Sequence, residues 1–272
     1  MGVGQTNQSG AVMRVVILPS ELKASNFAAN IIGKFISEKE KAVLGLATGS
    51  STFLTYKALI KKYEQREISF KSVITFNLDE YVGLSPDHPQ SYRQYMNSKL
   101  FDHIDINYKN VFIPECFDDD YDTSCENYES MIKSHGGIDI QVLGIGTNGH
   151  IGFNEPTSSL NSRTRIKTLT QNTIENNSRF FKDNETQPTL AITMGIGTIM
   201  EAKQILLLGL GKHKSQAVTE IIEGPVSSFF PGSILQLHKN VIVIVDKHAA
   251  SELKLYDYYI HTEKMHQSYT CK

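Results

Sequence analysis

The chain has 272 residues with a formal net charge of −2 and a 40% hydrophobic content, enough for a large buried core and one or two domains. The near-balance of charge leaves no electrostatic footprint for nucleic acid, and no apolar run is long enough to span a membrane. Its three cysteines, Cys116, Cys125 and Cys271, lack metal-type spacing and cannot all pair, which points to plain thiols in a reduced, cytoplasmic chain.

Residues 1–12 are polar and glycine-rich, without the apolar centre of a signal peptide, and read as a flexible N-terminal extension before a plausible start at Met13. Apolar strand-like runs then alternate with amphipathic helical stretches. Val15–Leu18 is followed by Ser20–Phe35, where Leu22, Phe27, Ile31 and Phe35 recur near helical spacing. Val43–Ala47 precedes a helix at Phe53–Tyr63, Val73–Phe76 one at Ser91–Leu100, and Val111–Ile113 one at Thr123–Ser134. Further runs are Ile138–Leu143, Leu190–Thr193, Ile205–Leu210 and Val241–Val245, with helices expected at Lys212–Glu223 and Ala249–Tyr258. Such alternation, with strands rich in Val, Ile and Leu and no polar alternation, predicts an α/β fold. It is doubly wound around a mainly parallel sheet, with helices on both faces. No linker or repeat interrupts residues 13–272, which read as a single catalytic domain. The polar stretch at about 160–188 breaks the alternation and reads either as a lid over a site or as a surface helix pair.

Ligands of open parallel sheets bind beyond the carboxyl ends of the strands, and three polar loops fall at such ends. Thr48, Gly49, Ser50 and Ser51 stand between a strand and a helix, where small residues and a helix start suit phosphate, although Ser and Thr there also serve as ordinary caps. Asn77-Leu78-Asp79-Glu80-Tyr81 puts two acids at a strand end; Asp79 over a pocket would be a base, and elsewhere a cap or surface acid. Gly144 to Pro156 reads Gly-Ile-Gly-Thr-Asn-Gly-His-Ile-Gly-Phe-Asn-Glu-Pro. Its glycines surround His150, Glu155, Asn148 and Asn154, and a histidine held by a carboxylate can shuttle protons. Lys214, at a helix start where the dipole disfavours a cation, suggests a bound anion.

Three segments carry a resemblance over about residues 14–259: Phe76–Tyr81, Gly149–Pro156 and Ser162–Thr170. On these the chain resembles the glucosamine-6-phosphate deaminase (isomerase) family, whose fold is a modified doubly wound α/β domain. The resemblance implies conversion of glucosamine 6-phosphate and water to fructose 6-phosphate and ammonia, with no metal or organic cofactor. It also implies roles. His150, with Glu155 and Asn148, would open the sugar ring, and Asp79 would move a proton from C2 to C1. Thr48, Gly49, Ser50, Ser51, Lys214 and Arg179 would hold the phosphate. Ser158, Ser159, Arg165, Lys167 and Thr168 match an effector site for N-acetylglucosamine 6-phosphate in regulated members. Two departures stand out: position 148 is aspartate in one branch of the family, and a family tyrosine near the C-terminus falls about at Ile260.

A 6-phosphogluconolactonase-like hydrolase shares the phosphate loop and the glycine-histidine segment, but has no call for Asp79-Glu80 or for Asn154-Glu155-Pro156. A sugar-phosphate-sensing effector domain would bind the same ligands without catalysis, yet no helix-turn-helix segment or basic N-terminal module is present. The expected partner is a small-molecule sugar phosphate, with neither nucleic acid nor membrane. Assembly into a homo-oligomer stays open.

Overall fold

The computed structural model describes residues 13–116, 120–169 and 187–270. Residues 1–12, Arg179 and most of the expected lid therefore lie outside the described residues. The strands are β1 (Arg14–Leu18), β2 (Val43–Leu46), β3 (Ile74–Asn77), β4 (Asp79–Tyr81), β5 (Val111–Phe112), β6 (Ile140–Gly144), β7 (Arg165–Thr168), β8 (Leu190–Thr193), β9 (Gln204–Gly209) and β10 (Val241–Asp246). The α-helices are α1 (Glu21–Glu38), α2 (Ser50–Glu64), α3 (Tyr92–Lys99), α4 (Tyr121–Ser134), α5 (Ile196–Met200), α6 (Ser215–Glu223) and α7 (Tyr256–Thr270).

Seven strands form one parallel sheet in the order β1-β10-β9-β6-β2-β3-β5. Both faces are covered, which is why its strands read as unbroken apolar runs. On one face Ala28, Ile32, Tyr56, Leu59 and Met96 of α1, α2 and α3 pack over Leu44, Leu46 and Val142. On the other, Tyr128, Ile132, Val218 and Ile221 of α4 and α6 pack over Val43, Leu143 and Leu207. From β2 the chain builds outward to β3 and β5, then returns to place β6 on the other side of β2 and continues to β9 and β10. The β2–β6 junction is thus a topological switch point, where an open α/β sheet leaves a crevice at its carboxyl edge.

The α/β class stands, with four corrections. Asp79–Tyr81 is a strand, not a loop. Leu190–Thr193 belongs to a second, antiparallel sheet ordered β4-β8-β7. Arg165–Thr168, expected within the lid, is the third strand of that sheet. The residues just before it are fastened too: the Glu129 carboxylate accepts from the Thr164 amide (2.9 Å) and hydroxyl (2.6 Å) and pairs with Arg163. Finally, the helix expected at Ala249–Tyr258 begins only at Tyr256. Asp246 turns the preceding segment by accepting from the Ala249 amide at 3.2 Å, and Glu223 takes the Lys254 and Leu255 amides at 2.9 Å each. Cys125 is a free, buried thiol, and Cys116 is buried as well. No described helix is long and apolar enough to cross a membrane.

Candidate active site

The carboxyl edge of the sheet opens onto a cavity of about 530 Å³. All three polar loops reach it: Thr48–Ser51, Asp79, and Asn148, His150 and Glu155, with Lys214 beside them.

The first loop ends β2 and starts α2. The helix begins at Ser50, so the capping position falls on Gly49, at φ +108°, and no side chain caps the first turn. The nearby Thr52 hydroxyl is turned back onto the carbonyls of Ala47 (3.1 Å) and Gly49 (3.2 Å). The free N–H groups of that turn, the Ser50 and Ser51 hydroxyls and the positive end of the helix form an anion site. Lys214 supplies a cation to the same cavity. It is partly buried and, among the described residues, pairs with no carboxylate; burial alone holds its ammonium below the usual lysine range. Its position rests on Gly211, whose amide donates to the fully buried Asp246 at 2.8 Å.

On β4 the two adjacent acids face opposite ways, as strand alternation requires. Glu80 accepts from the amides of Tyr81 (2.8 Å), Tyr92 (2.9 Å) and Arg93 (2.9 Å), so it caps α3. Asp79 faces the cavity and, among the described residues, takes no hydrogen bond. Burial, with Glu80 alongside, pushes its carboxyl up to about 8.

In the third loop the Asn148 amide stands between the other two polar groups. Its Oδ1 accepts from His150 Nδ1 at 2.7 Å, and its Nδ2 donates to Glu155 Oε2 at 2.7 Å. The His150 amide also donates to Oδ1 at 3.3 Å, and a carboxylate can only accept, so the partners fix the amide orientation. Nδ1 also lies 3.3 Å from Glu155 Oε1. With the proton held on Nδ1, Nε2 carries the free lone pair. Burial would raise the Glu155 carboxyl, but hydrogen bonds from His150 and Asn148 and the charge of Lys167 hold it below the usual range. Gly146 gives the imidazole its place: a Cβ there would meet the ring at 2.2 Å.

The residues matched to an effector site divide. Arg165 donates to Asn154 Oδ1 at 2.8 Å, and Lys167, two positions on, acts on Glu155, so both face the site loop. Ser158 is buried, and the Ser159 hydroxyl accepts from the Asn161 amide at 3.4 Å. Thr168 is exposed. Sequence reasoning missed Tyr92 and Phe153, which also line the cavity. Their rings stack at 6.0 Å, 4° from parallel, and the Tyr92 hydroxyl is spent on that of Tyr81 at 3.4 Å. Phe153 sat within the glycine-histidine segment as an available signal; nothing local marked Tyr92.

Residues 21–244 match the family model described as "Glucosamine-6-phosphate isomerases/6-phosphogluconolactonase". A protein named glucosamine-6-phosphate deaminase from Shewanella halifaxensis is 51% identical over 94% of this chain and 97% of its own. Another of that name from Hahella chejuensis is 54% identical over 91% and 94%. A solved structure described as a monomeric glucosamine-6-phosphate deaminase superposes with TM-score 0.84 at 47% identity, covering 88% of this chain and 99% of that one.

Proposed function

The chain belongs to the glucosamine-6-phosphate isomerase/6-phosphogluconolactonase family, and from that premise we infer that it is a glucosamine-6-phosphate deaminase. It converts glucosamine 6-phosphate and water to fructose 6-phosphate and ammonia, a step of amino-sugar metabolism. The observation that carries the residue assignment is Asp79: a carboxylate with no hydrogen bond among the described residues, facing the same cavity as His150. A lactonase lets water cleave a ring ester and deprotonates no carbon, so Asp79 would have nothing to move.

The phosphate is proposed to sit at the uncapped start of α2, against Thr48–Ser51 and Lys214. Arg179, expected as a further phosphate ligand, lies outside the described residues. The pyranose opens when His150 Nε2 takes the O1 proton and a proton reaches O5. Asn148 and Glu155 hold the other ring nitrogen and offset the imidazolium charge meanwhile. Asp79 then removes the C2 proton, giving the enolamine, and returns it at C1. The resulting C2 imine adds water and releases ammonia. Acid–base assistance of this kind is worth about 10²–10⁴ in rate. Every described group in this account comes from one chain, so the chemistry as described needs no second copy. The free, buried thiol of Cys125 supports a reducing compartment, the cytoplasm.

Incubation with glucosamine 6-phosphate is expected to release ammonia and fructose 6-phosphate in equal amounts, while a 6-phosphogluconolactone is left at its background rate. Absence of ammonia at high enzyme concentration would sink the reading. In deuterium oxide, Asp79→Asn is expected to bind the sugar phosphate yet lose exchange of the C2 proton; persistent exchange removes Asp79 as the base.

A further inference from the structure

The carbonyls of the first loop are held from behind. Tyr56 donates its hydroxyl to the Ala47 carbonyl at 2.5 Å, and Tyr95 donates its own to the Gly49 carbonyl at 2.8 Å. Thr52 stands between them, within reach of both carbonyls and of both phenols. It has one hydrogen to share between contacts of 3.1 and 3.2 Å, so the two phenols are the principal donors. Thr52 and Tyr56 are fully buried and belong to α2, the helix that the loop begins. Tyr95 is half-buried and comes from a different element, α3.

Gly49 makes the Tyr95 bond consequential. At φ +108° and ψ 173° it occupies a region open essentially to glycine alone, and without a Cβ its neighbouring peptide planes turn at little steric cost. A trans peptide is planar, so its C=O and N–H point opposite ways. Holding the Gly49 oxygen on the Tyr95 side therefore holds the Ser50 N–H on the other. That N–H is the first donor of α2, in a turn that no side chain caps. Thr48, Gly49, Ser50 and Ser51 line the cavity, and Tyr95 does not. Turned over, the same peptide would set a carbonyl dipole against a bound anion.

The anchor is firm. The Ser91 hydroxyl accepts from the Gln94 amide at 3.0 Å, and Glu80 takes the Tyr92 and Arg93 amides, so the first turn of α3 is tied to the strand that carries Asp79. One short helix thus joins that strand to the first loop. We infer that Tyr95 is a positioning residue for the substrate phosphate: its hydroxyl locks the Gly49–Ser50 peptide with the N–H toward the anion. It acts through the loop and moves no proton. The role deepens the phosphate assignment made above and rests on it.

Tyr95→Phe removes one oxygen from a half-buried ring. With the full chain, ammonia release gives kcat and KM for glucosamine 6-phosphate, and inorganic phosphate is titrated as a competitive inhibitor at constant ionic strength. The variant is expected to raise KM and the phosphate inhibition constant together, by about three- to tenfold, the scale of one neutral hydrogen bond, with kcat within about twofold. A general loosening of the fold would instead lower kcat and the unfolding temperature without that matched pair. In the unsubstituted protein, hydrogen exchange at the Ser50 amide is expected to slow when inorganic phosphate is added, a measurement that stands even if the phenylalanine variant fails to fold. A folded variant with native KM and native phosphate inhibition overturns the inference. So does a rise in KM without a matching rise in the inhibition constant, or a Ser50 amide whose exchange ignores phosphate. If inorganic phosphate does not inhibit the unsubstituted protein, the phosphate site falls and the role of Tyr95 with it. An unsubstituted protein that releases no ammonia overturns the deaminase reading instead, and Ser50 exchange with phosphate, compared between the two proteins, then decides the role of Tyr95.

Discussion

At the scale of single residues, Asn148 is both acceptor and donor. It accepts a hydrogen bond from His150 Nδ1 and donates one to Glu155, which helps hold the Glu155 carboxyl below its usual range. Replacing it by aspartate would set two carboxylates against each other and one directly against Nδ1. The donor that orients Glu155 is lost, and like charges face each other where a hydrogen bond stood. Asn148→Asp is accordingly expected to lower kcat about tenfold with a smaller change in KM, measured as ammonia release. Lys214 offers a simpler case. With no paired carboxylate among the described residues, its charge is available for the phosphate, and Lys214→Ala is expected to raise KM about 10- to 100-fold with a much smaller change in kcat. Loss of turnover at unchanged KM would take Lys214 out of the phosphate site.

At the scale of elements, the short strand β4 couples a helix to the cavity. Glu80 caps α3 while Asp79, one residue before, faces the cavity. Glu80→Gln keeps the shape but removes an acceptor from the Arg93 amide and a negative charge from beside Asp79. It is expected to cost about 1–2 kcal/mol of stability by urea unfolding. It should also lower the Asp79 carboxyl, moving the acid limb of activity to lower pH. This element was the least legible in the sequence. Val43–Leu46 and Val241–Val245 announce themselves because both faces of their sheet are covered. Asp79-Glu80-Tyr81 has no apolar run, and its strand character comes from pairing with Ala191–Thr193, far along the chain. The residues of the Gly144–Pro156 loop were legible because glycine, histidine and acid cluster within one segment. Tyr92 was not, since only the fold sets it against Phe153.

At the scale of the molecule, Asp139 ties the amino ends of the central strands together. Its buried carboxylate accepts from Lys39 Nζ (2.5 Å), Lys203 Nζ (2.8 Å) and the Val43 amide (2.8 Å). Burial would raise this carboxyl, but these partners hold it below the usual range. A carboxyl depressed in the folded state contributes stability that is present above its unfolded value and lost as pH falls through the folded one. Asp139→Asn is therefore expected to cost about 1–3 kcal/mol at pH 7, with the difference narrowing below about pH 4, as urea unfolding at the two pH values would show. The parallel sheet and its two covered faces were legible from apolar periodicity. The small antiparallel sheet was not, because its strands are short and partly polar.

That small sheet also bears on how the protein is made. β4 emerges early and β8 late, yet Asp79 is framed only when the two pair, and β1 likewise waits for β10 at the edge of the large sheet. Contacts so distant in sequence close slowly, after the entropy of long intervening loops has been overcome. A nascent chain can complete neither its site nor its sheet edge until nearly all of it has left the ribosome, so competence arrives late in synthesis rather than growing with it.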